Sequence, residues 1–457
     1  MKSLILSGSP GLLDAIFRTD AVREIFSDRG RLQGMLDFEA ALARATASVG
    51  LIPARAATQI ESQCRAELFD IGSLSSGAAL AGNPAIPMVK ALTALVDSQD
   101  HEAARFVHWG ATSQDAMDTG LVLQLRSALQ RIDAGLASLS AALAAVAGQH
   151  KRTLVAGRTL MQHATPVTFG LKAAGWLSAI ERHRQRMKEM RARAMVLQFG
   201  GAAGTLASLG NRGLDVAVAL ADDLKLSLPD IAWHAQRDRV VEVATTFGLL
   251  VGSLGKIARD IALATQVEIG EAREPAARGR GGSSTLPHKR NPVSSAVVLA
   301  AAAKVPALVS VMLSAMVQEH ERGLGNWHAE WETLPEICML TAGALANMTQ
   351  VIEGLEINVE RMRQNLDATG GLIMAEAISL ALAPKLGRQA AHELVEEACG
   401  RALEQGRKLE ELLAQDPKVT ACLSFAELKR LFDPEGYLGV AAQLVDRVLA
   451  LRAGKGR

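Results

Sequence analysis

Between Leu121 and His150 the apolar residues Leu121, Leu125, Leu129, Ile132, Leu136, Leu139, Leu143 and Val146 step by three or four. That spacing lays one stripe along a helix. Residues 171–196, 240–272, 293–318 and 334–355 carry the same kind of pattern and predict four further long helices. Proline is absent from Met88 through Thr165 and again from Val167 through Leu228, and strand signals are weak throughout. Helices of this length, apolar around much of their circumference, need partners on several sides. A bundle supplies them, and so does an oligomer of bundles. Before about residue 105, Pro53, Pro84 and Pro87 cut the pattern into shorter pieces; after about residue 357, Pro384, Pro417 and Pro434 do the same. The pattern therefore predicts an all-α fold of three helical domains, 1–105, 106–356 and 357–457, with the long bundle in the middle.

Composition narrows the function. A chain of 457 residues, 49% hydrophobic, can bury a large core. Its net charge of +1 argues against nucleic acid as the main partner. Cys64, Cys338, Cys399 and Cys422 are scattered without paired spacing, which suggests neither a disulfide framework nor a zinc site and fits a reducing cytoplasm. The histidine-glutamate pairs at 320–321 and 392–393 lack the second histidine of a zinc helix, so no metal is expected. The first residues, with one lysine and the short apolar run Leu4-Ile5-Leu6, do not form a signal-peptide pattern. Apolar stretches elsewhere are expected to be interrupted by charges or glycines before membrane-spanning length, and the chain reads as soluble.

Chemistry concentrates in a few segments. Gly279 to Pro292 holds Gly279, Gly281 and Gly282, then Ser283 and Ser284, then His288, Lys289 and Arg290 between two prolines. A backbone this permissive is costly to order. With so dense a cationic patch it reads as a flap that closes over an anionic substrate. His108 to Asp115 precedes a predicted helix, and Thr112, Ser113 and Gln114 offer hydroxyl and amide groups beside its N-terminus. Free N–H groups there favour an anion, although Thr, Ser and Asp are equally good helix caps. In Gln318 to Trp331, Arg322 is either a bidentate carboxylate clamp or part of a salt-bridged helix face. Trp327 and Trp331 lie four apart on one helical face, as core packing or as a wall for a flat substrate. Gly200 to Thr205 lacks the ending of a phosphate loop and reads as a close backbone approach.

The stretch Ser283-Ser284-Thr285-Leu286-Pro287-His288-Lys289-Arg290-Asn291-Pro292 closely resembles the signature loop of the fumarase/aspartase superfamily. The segments 108–115 and 157–166 resemble that superfamily's first and second motifs, in the expected order, and Phe432 to Gly439 resembles its tail. The resemblance implies a homotetramer whose central helices pack together and whose active sites draw on several subunits. It implies Ser283 as the residue that moves a proton, with Ser284 as the alternative, and Lys289 and Asn291 as holders of a substrate carboxylate. Thr112 and Ser113 become carboxylate ligands, with Gln114, Arg158, Gln162 and Arg322 as further substrate-binding candidates. No cofactor is implied.

One departure points to the reaction. Fumarases and amine-eliminating lyases of the superfamily carry a histidine right after the threonine of the second motif, where this chain has Leu160. His163 follows three residues later, one turn away if the backbone there is helical, as either a structural or a catalytic residue. Expelling water or an amine needs a general acid. A carboxylate, whose conjugate acid has a pKa of about 4, leaves without one. A missing acid therefore points to cycloisomerisation, in which a tethered carboxylate adds to a double bond and one proton moves at carbon. The expected substrate is a tricarboxylate, as in the superfamily's 3-carboxy-cis,cis-muconate cycloisomerases of aromatic-acid catabolism. The rival reading is adenylosuccinate-lyase-type elimination releasing fumarate; a structural homologue without activity is the other alternative.

Overall fold

The computed structural model describes residues 11–276, 279, 281–282 and 285–455. Its fold is all-α. The helices used below are α1 (Asp28–Ser48), α2 (Ser113–Gln149), α3 (Phe169–Ala194), α4 (Asp238–Ala264), α5 (Val293–Ser314), α6 (Asn326–Glu353) and α7 (Val359–Asp367). Between α2 and α3 runs an antiparallel hairpin of β1 (Leu154–Thr159) and β2 (Gln162–Thr168).

The periodicity located the long helices well. In α2, Leu125, Leu129, Ile132, Leu136, Leu139 and Leu143 are buried as their spacing requires, while the terminal Leu121 and Val146 are half-buried. Several boundaries moved: α2 begins at Ser113, eight residues before the predicted stripe, and α5 ends at Ser314 rather than at 318. The helix expected over 240–272 ends at Ala264, because the chain turns through Gly270 at φ +60° and Ala272–Arg273 pairs with Glu356–Ile357 as a short strand. The helix expected from Leu334 begins at Asn326 and continues through Pro335. Its first turns mix Trp327 and Trp331 with His328, Glu330 and Glu332, which breaks the apolar stripe there.

The chain divides into two compact units. The first gathers Met1–Ala137, His183–Gly255 and Val297–Asn347. Its N-terminal core is built on Leu32, Met35, Leu36, Ile60, Met88 and Leu92. There α1 crosses α2 at a glycine pair: a Cβ on Gly34 would lie 2.8 Å from the Gly120 carbonyl oxygen, so only glycine allows that approach. The second unit gathers Ser138–Arg182, Lys256–Ala296 and Met348–Arg457, with a core that includes Leu154, Ala156, Leu366, Ile378 and Leu409.

Among the described residues, three helices, α2, α4 and α5, reach by length and composition what a membrane crossing requires. The expectation that charges and glycines interrupt every apolar stretch is corrected on this point, because their apolar windows tolerate the few polar residues present. In α5 only 22% of that window is buried within the single chain.

Candidate active site

In the first unit the site is built on the turn before α2. His108 at φ +60° and Gly110 at φ +80° reverse the chain, and Thr112 opens the helix. The anchor is Asp115, which is fully buried. Its Oδ2 accepts from the backbone N–H of Thr112 (3.0 Å) and of Gly201 (2.9 Å). Its Oδ1 accepts from the Gly200 N–H (3.0 Å) and the Gln198 Nε2 (3.3 Å), and lies 2.7 Å from the His234 Nε2. The glycine-rich segment is therefore a cradle for this carboxylate. A Cβ at Gly200 would meet the Ala232 Cβ at 2.6 Å, which explains the glycine. The close approach expected of this segment exists, against the start of α2 and the Ala232–His234 loop.

Arg322 docks on the same turn. Its Nε donates to the Gln114 Oε1 at 3.0 Å, and its Nη2 donates to the Thr112 Oγ1 and the Ala202 carbonyl, both at 3.2 Å. Gln114 in turn donates to the His234 carbonyl (2.9 Å) and to Asp118 Oδ2 (3.1 Å). Thr112, Gln114 and Arg322 thus form one connected group, with Ser113 as the first residue of α2.

Beneath it lies a buried charge network that sequence reasoning missed. The guanidinium of Arg237, itself fully buried, grips Asp118 through Nη1 (2.7 Å) and Nη2 (3.0 Å) and Glu330 through Nη2 (2.6 Å) and Nε (3.0 Å). Burial pushes the Glu330 carboxyl upward, against the pull of Arg237. Trp327 is buried, donates to Asp118 Oδ1 at 3.2 Å, and meets the half-buried Trp331 edge-on, 4.9 Å between ring centroids. Core packing is the role this gives Trp327.

His108 was also missed. Its Nδ1 sits 2.6 Å from Oε1 of the buried Glu39 on α1. Burial disfavours the charged imidazole, but the Glu39 charge and hydrogen bond outweigh it and hold His108 above its ordinary value. The signal was present in the sequence as the histidine that opens the first motif.

In the second unit the second motif is a β-hairpin, so His163 is not one helical turn from Leu160. His163 faces Arg158 across the ladder, and Gln162 faces Thr159. Leu160 and Met161 form the two-residue turn, both at positive φ (+49° and +68°), and Leu160 is 97% exposed. Such a turn matches the strand twist but strains residues with a Cβ. Arg158 is paired bidentately with Glu271 (2.8 and 2.6 Å), and Asn365 on α7 also donates to Glu271 at 2.8 Å. The Nδ1 of His163 is buried without a hydrogen-bond partner. Burial, then the Arg158 charge, pull His163 below its ordinary value, with Glu271 opposing.

Ser283 and Ser284 lie outside the described residues. The flanks of their loop belong to the second unit and are tied at the base. The Asn291 N–H donates to the Gly281 carbonyl at 2.8 Å, and a Cβ on Gly281 (φ +67°) would lie 2.6 Å from the Asn291 carbonyl oxygen. Arg290 reaches Glu356 and the Glu274 carbonyl, so it fastens the loop to the scaffold. The Glu274 carboxylate accepts from the Ser294 and Ser295 N–H groups at the start of α5. Lys289 is exposed beside this base. Of the sequence-predicted residues, then, Thr112, Ser113, Gln114 and Arg322 belong to one unit, and Arg158, Gln162, His163, Lys289 and Asn291 to the other.

The same residues place the chain among known proteins. Residues 16–307 match the family described as Lyase, and residues 371–448 match the one described as Adenylosuccinate lyase C-terminus. The chain belongs to this lyase family, the fumarase/aspartase superfamily whose motifs it carries. Within it, the chain is 59% identical over 439 residues to the 3-carboxy-cis,cis-muconate cycloisomerase of Pseudomonas aeruginosa, covering 96% of each chain. The crystal structure of 3-carboxy-cis,cis-muconate lactonizing enzyme from Pseudomonas putida superposes with a TM-score of 0.92 at 56% identity, over 96% of this chain and 98% of that one. That of β-carboxy-cis,cis-muconate cycloisomerase from Acinetobacter calcoaceticus gives 0.92 at 44% identity, over 96% and 100%.

Proposed function

We infer that the chain converts 3-carboxy-cis,cis-muconate to a carboxymuconolactone in the protocatechuate (β-ketoadipate) route of aromatic-acid breakdown. The observation that carries the chemistry is Leu160, an apolar residue at the hairpin tip where the eliminating lyases of the superfamily have their acid. In lactonisation a substrate carboxylate oxygen bonds to an alkene carbon. The displaced electron pair passes to the neighbouring carbon, whose own carboxylate absorbs it as the aci form, and a proton is then delivered to that carbon. No leaving group needs protonation, and no redox step calls for a cofactor. Ser283 is the proton-transfer residue in this reading, and Lys289 and Asn291 stabilise the aci carboxylate. Thr112, Ser113 and Arg322 receive a second carboxylate, two hydroxyls with one cation between them suiting an anion, while Gln114, whose amide is committed to His234 and Asp118, orients Arg322. Arg158 and Gln162 remain candidates on the hairpin, as does His163 for a catalytic part.

The working enzyme in this reading is a cytoplasmic homotetramer of three-domain chains, divided at about residues 105 and 356. Its sites combine motifs from several subunits. What supports the assembly is the sparse burial of α5 together with exposed apolar residues such as Val311 (41%), Leu313 (49%) and, on α4, Leu249 (57%). Apolar helix faces left open in one chain are what other copies of a bundle cover. Adenylosuccinate-type elimination is the second reading, favoured by the match over residues 371–448 and opposed by Leu160.

The test is a pair of serine variants. Ser283→Ala is expected to lose about 10²–10⁴-fold in kcat, while Ser284→Ala stays close to the parent. The opposite order would move the proton transfer to Ser284, and full activity in both would remove the loop serine from the mechanism.

A further inference from the structure

Below the hairpin, within the second unit, lies a cavity of about 640 Å³ lined by Arg158, His163, Phe169, Lys172, Trp176 and Ile261, among others. It is roomy enough for a small organic acid and has apolar walls on α3 and α4. Its acidic groups are largely engaged. Glu271 is saturated by Arg158 and Asn365, and Asp260 accepts from Trp176 Nε1 (2.9 Å) and Lys256 Nζ (2.5 Å). Glu268 is exposed. Arg158, which sequence reasoning offered as a substrate ligand, has both ends of its guanidinium committed to Glu271.

Lys172 is different. Among the described residues it has neither a hydrogen bond nor an ion pair, although it is partly buried. Burial pulls its ammonium below the ordinary lysine value, with the Asp260 charge opposing. His163 lines the same cavity, although its unpartnered Nδ1 is itself shielded from solvent. A part-buried ammonium without a partner is costly to leave unmatched. A ligand in the cavity removes that cost if it carries a negative charge and accepts hydrogen bonds.

We propose that this cavity is a carboxylate-binding subsite, with Lys172 as its cation and the His163 ring in its wall. The carboxylate has two possible sources. One is the substrate itself, an assignment that rests on the function proposed above; the other is a separate organic acid that acts as an effector.

Calorimetric titration of the full-length protein with citrate, a tricarboxylate that cannot lactonise, tests this. Lys172→Met is expected to weaken citrate binding about ten- to hundred-fold, and Lys172→Arg, which keeps the charge, to restore most of it. If the carboxylate is the substrate's, the Lys172→Met enzyme shows a similar rise in KM for 3-carboxy-cis,cis-muconate with little change in kcat, and citrate competes with that substrate. If it belongs to an effector, KM stays at the parent value and citrate does not compete. Both results support the subsite and assign its source. Absence of citrate binding to the parent, or equal binding to folded Lys172→Met, overturns it. A parent protein that binds citrate through Lys172 yet fails to turn over the muconate overturns the function and leaves the subsite standing.

Discussion

Replacing Asp115 by Asn changes one atom in the first motif and separates a geometric role from a generic charge. The carboxylate collects the Thr112 and Gly201 N–H groups on Oδ2, and Gly200, Gln198 and His234 on Oδ1. An asparagine that keeps its carbonyl at Oδ1 turns an NH2 group toward the two backbone donors. Two buried N–H groups then face a donor. At about 1–3 kcal/mol for each orphaned group, the expected loss is about 2–6 kcal/mol. Rotating the amide is no better, because three donors would then meet the NH2 instead of two. Thr112, which accepts from Arg322, sits on the loosened turn, so substrate binding should suffer with stability. Urea unfolding at matched protein concentration, which holds any subunit linkage fixed, should show an earlier midpoint. Steady-state kinetics should show a raised KM. A parent-like midpoint and KM in Asp115→Asn would refute the claim that this carboxylate holds the Thr112 turn in place.

Other outcomes follow from the same geometry. Arg237→Met leaves Asp118 and Glu330 as uncompensated buried charges and should cost about 3–5 kcal/mol; adding Glu330→Gln should recover part of this in the same unfolding assay. His108 is held above its ordinary 6.5 in the folded chain, so its contribution to stability is complete below that pH and fades as pH rises through the folded value. Unfolding midpoints of the parent should therefore decline from about pH 6 to about pH 9 more steeply than those of His108→Gln, and parallel curves would contradict the Glu39 pairing. Leu160→His, at an exposed tip where the side chain packs on little, should fold normally and lower cycloisomerase activity without creating efficient amine elimination. Full lyase activity in that variant would overturn the argument from leaving groups.

The sequence made the helices legible because their stripes depend only on local spacing, as the burial of α2 from Leu125 to Leu143 illustrates. The hairpin was not legible. Its turn uses Leu160-Met161 in place of the Asn-Gly or Asp-Gly pair that announces such a turn, and its strands are short. Thr112, Ser113, Gln114 and Arg322 were named as site candidates from the motifs. That Arg322 lies directly on Thr112 and Gln114 was hidden, since about two hundred residues separate them. Asp115 was quoted in its motif and read as a cap, because nothing local shows that five donors converge on it. Glu271, His234 and Arg237 left no signal: each is a lone polar residue whose meaning comes from partners far along the chain. Lys172 was masked by the helical stripe that contains it.

The central claim is the reaction, and one assay addresses it directly. The purified chain is given 3-carboxy-cis,cis-muconate and adenylosuccinate side by side and followed by absorbance. Loss of the diene chromophore of the first, with the second untouched, is the predicted result. Fumarate released from adenylosuccinate would contradict the account and would mean that a residue other than Leu160, His163 first, protonates the leaving amine.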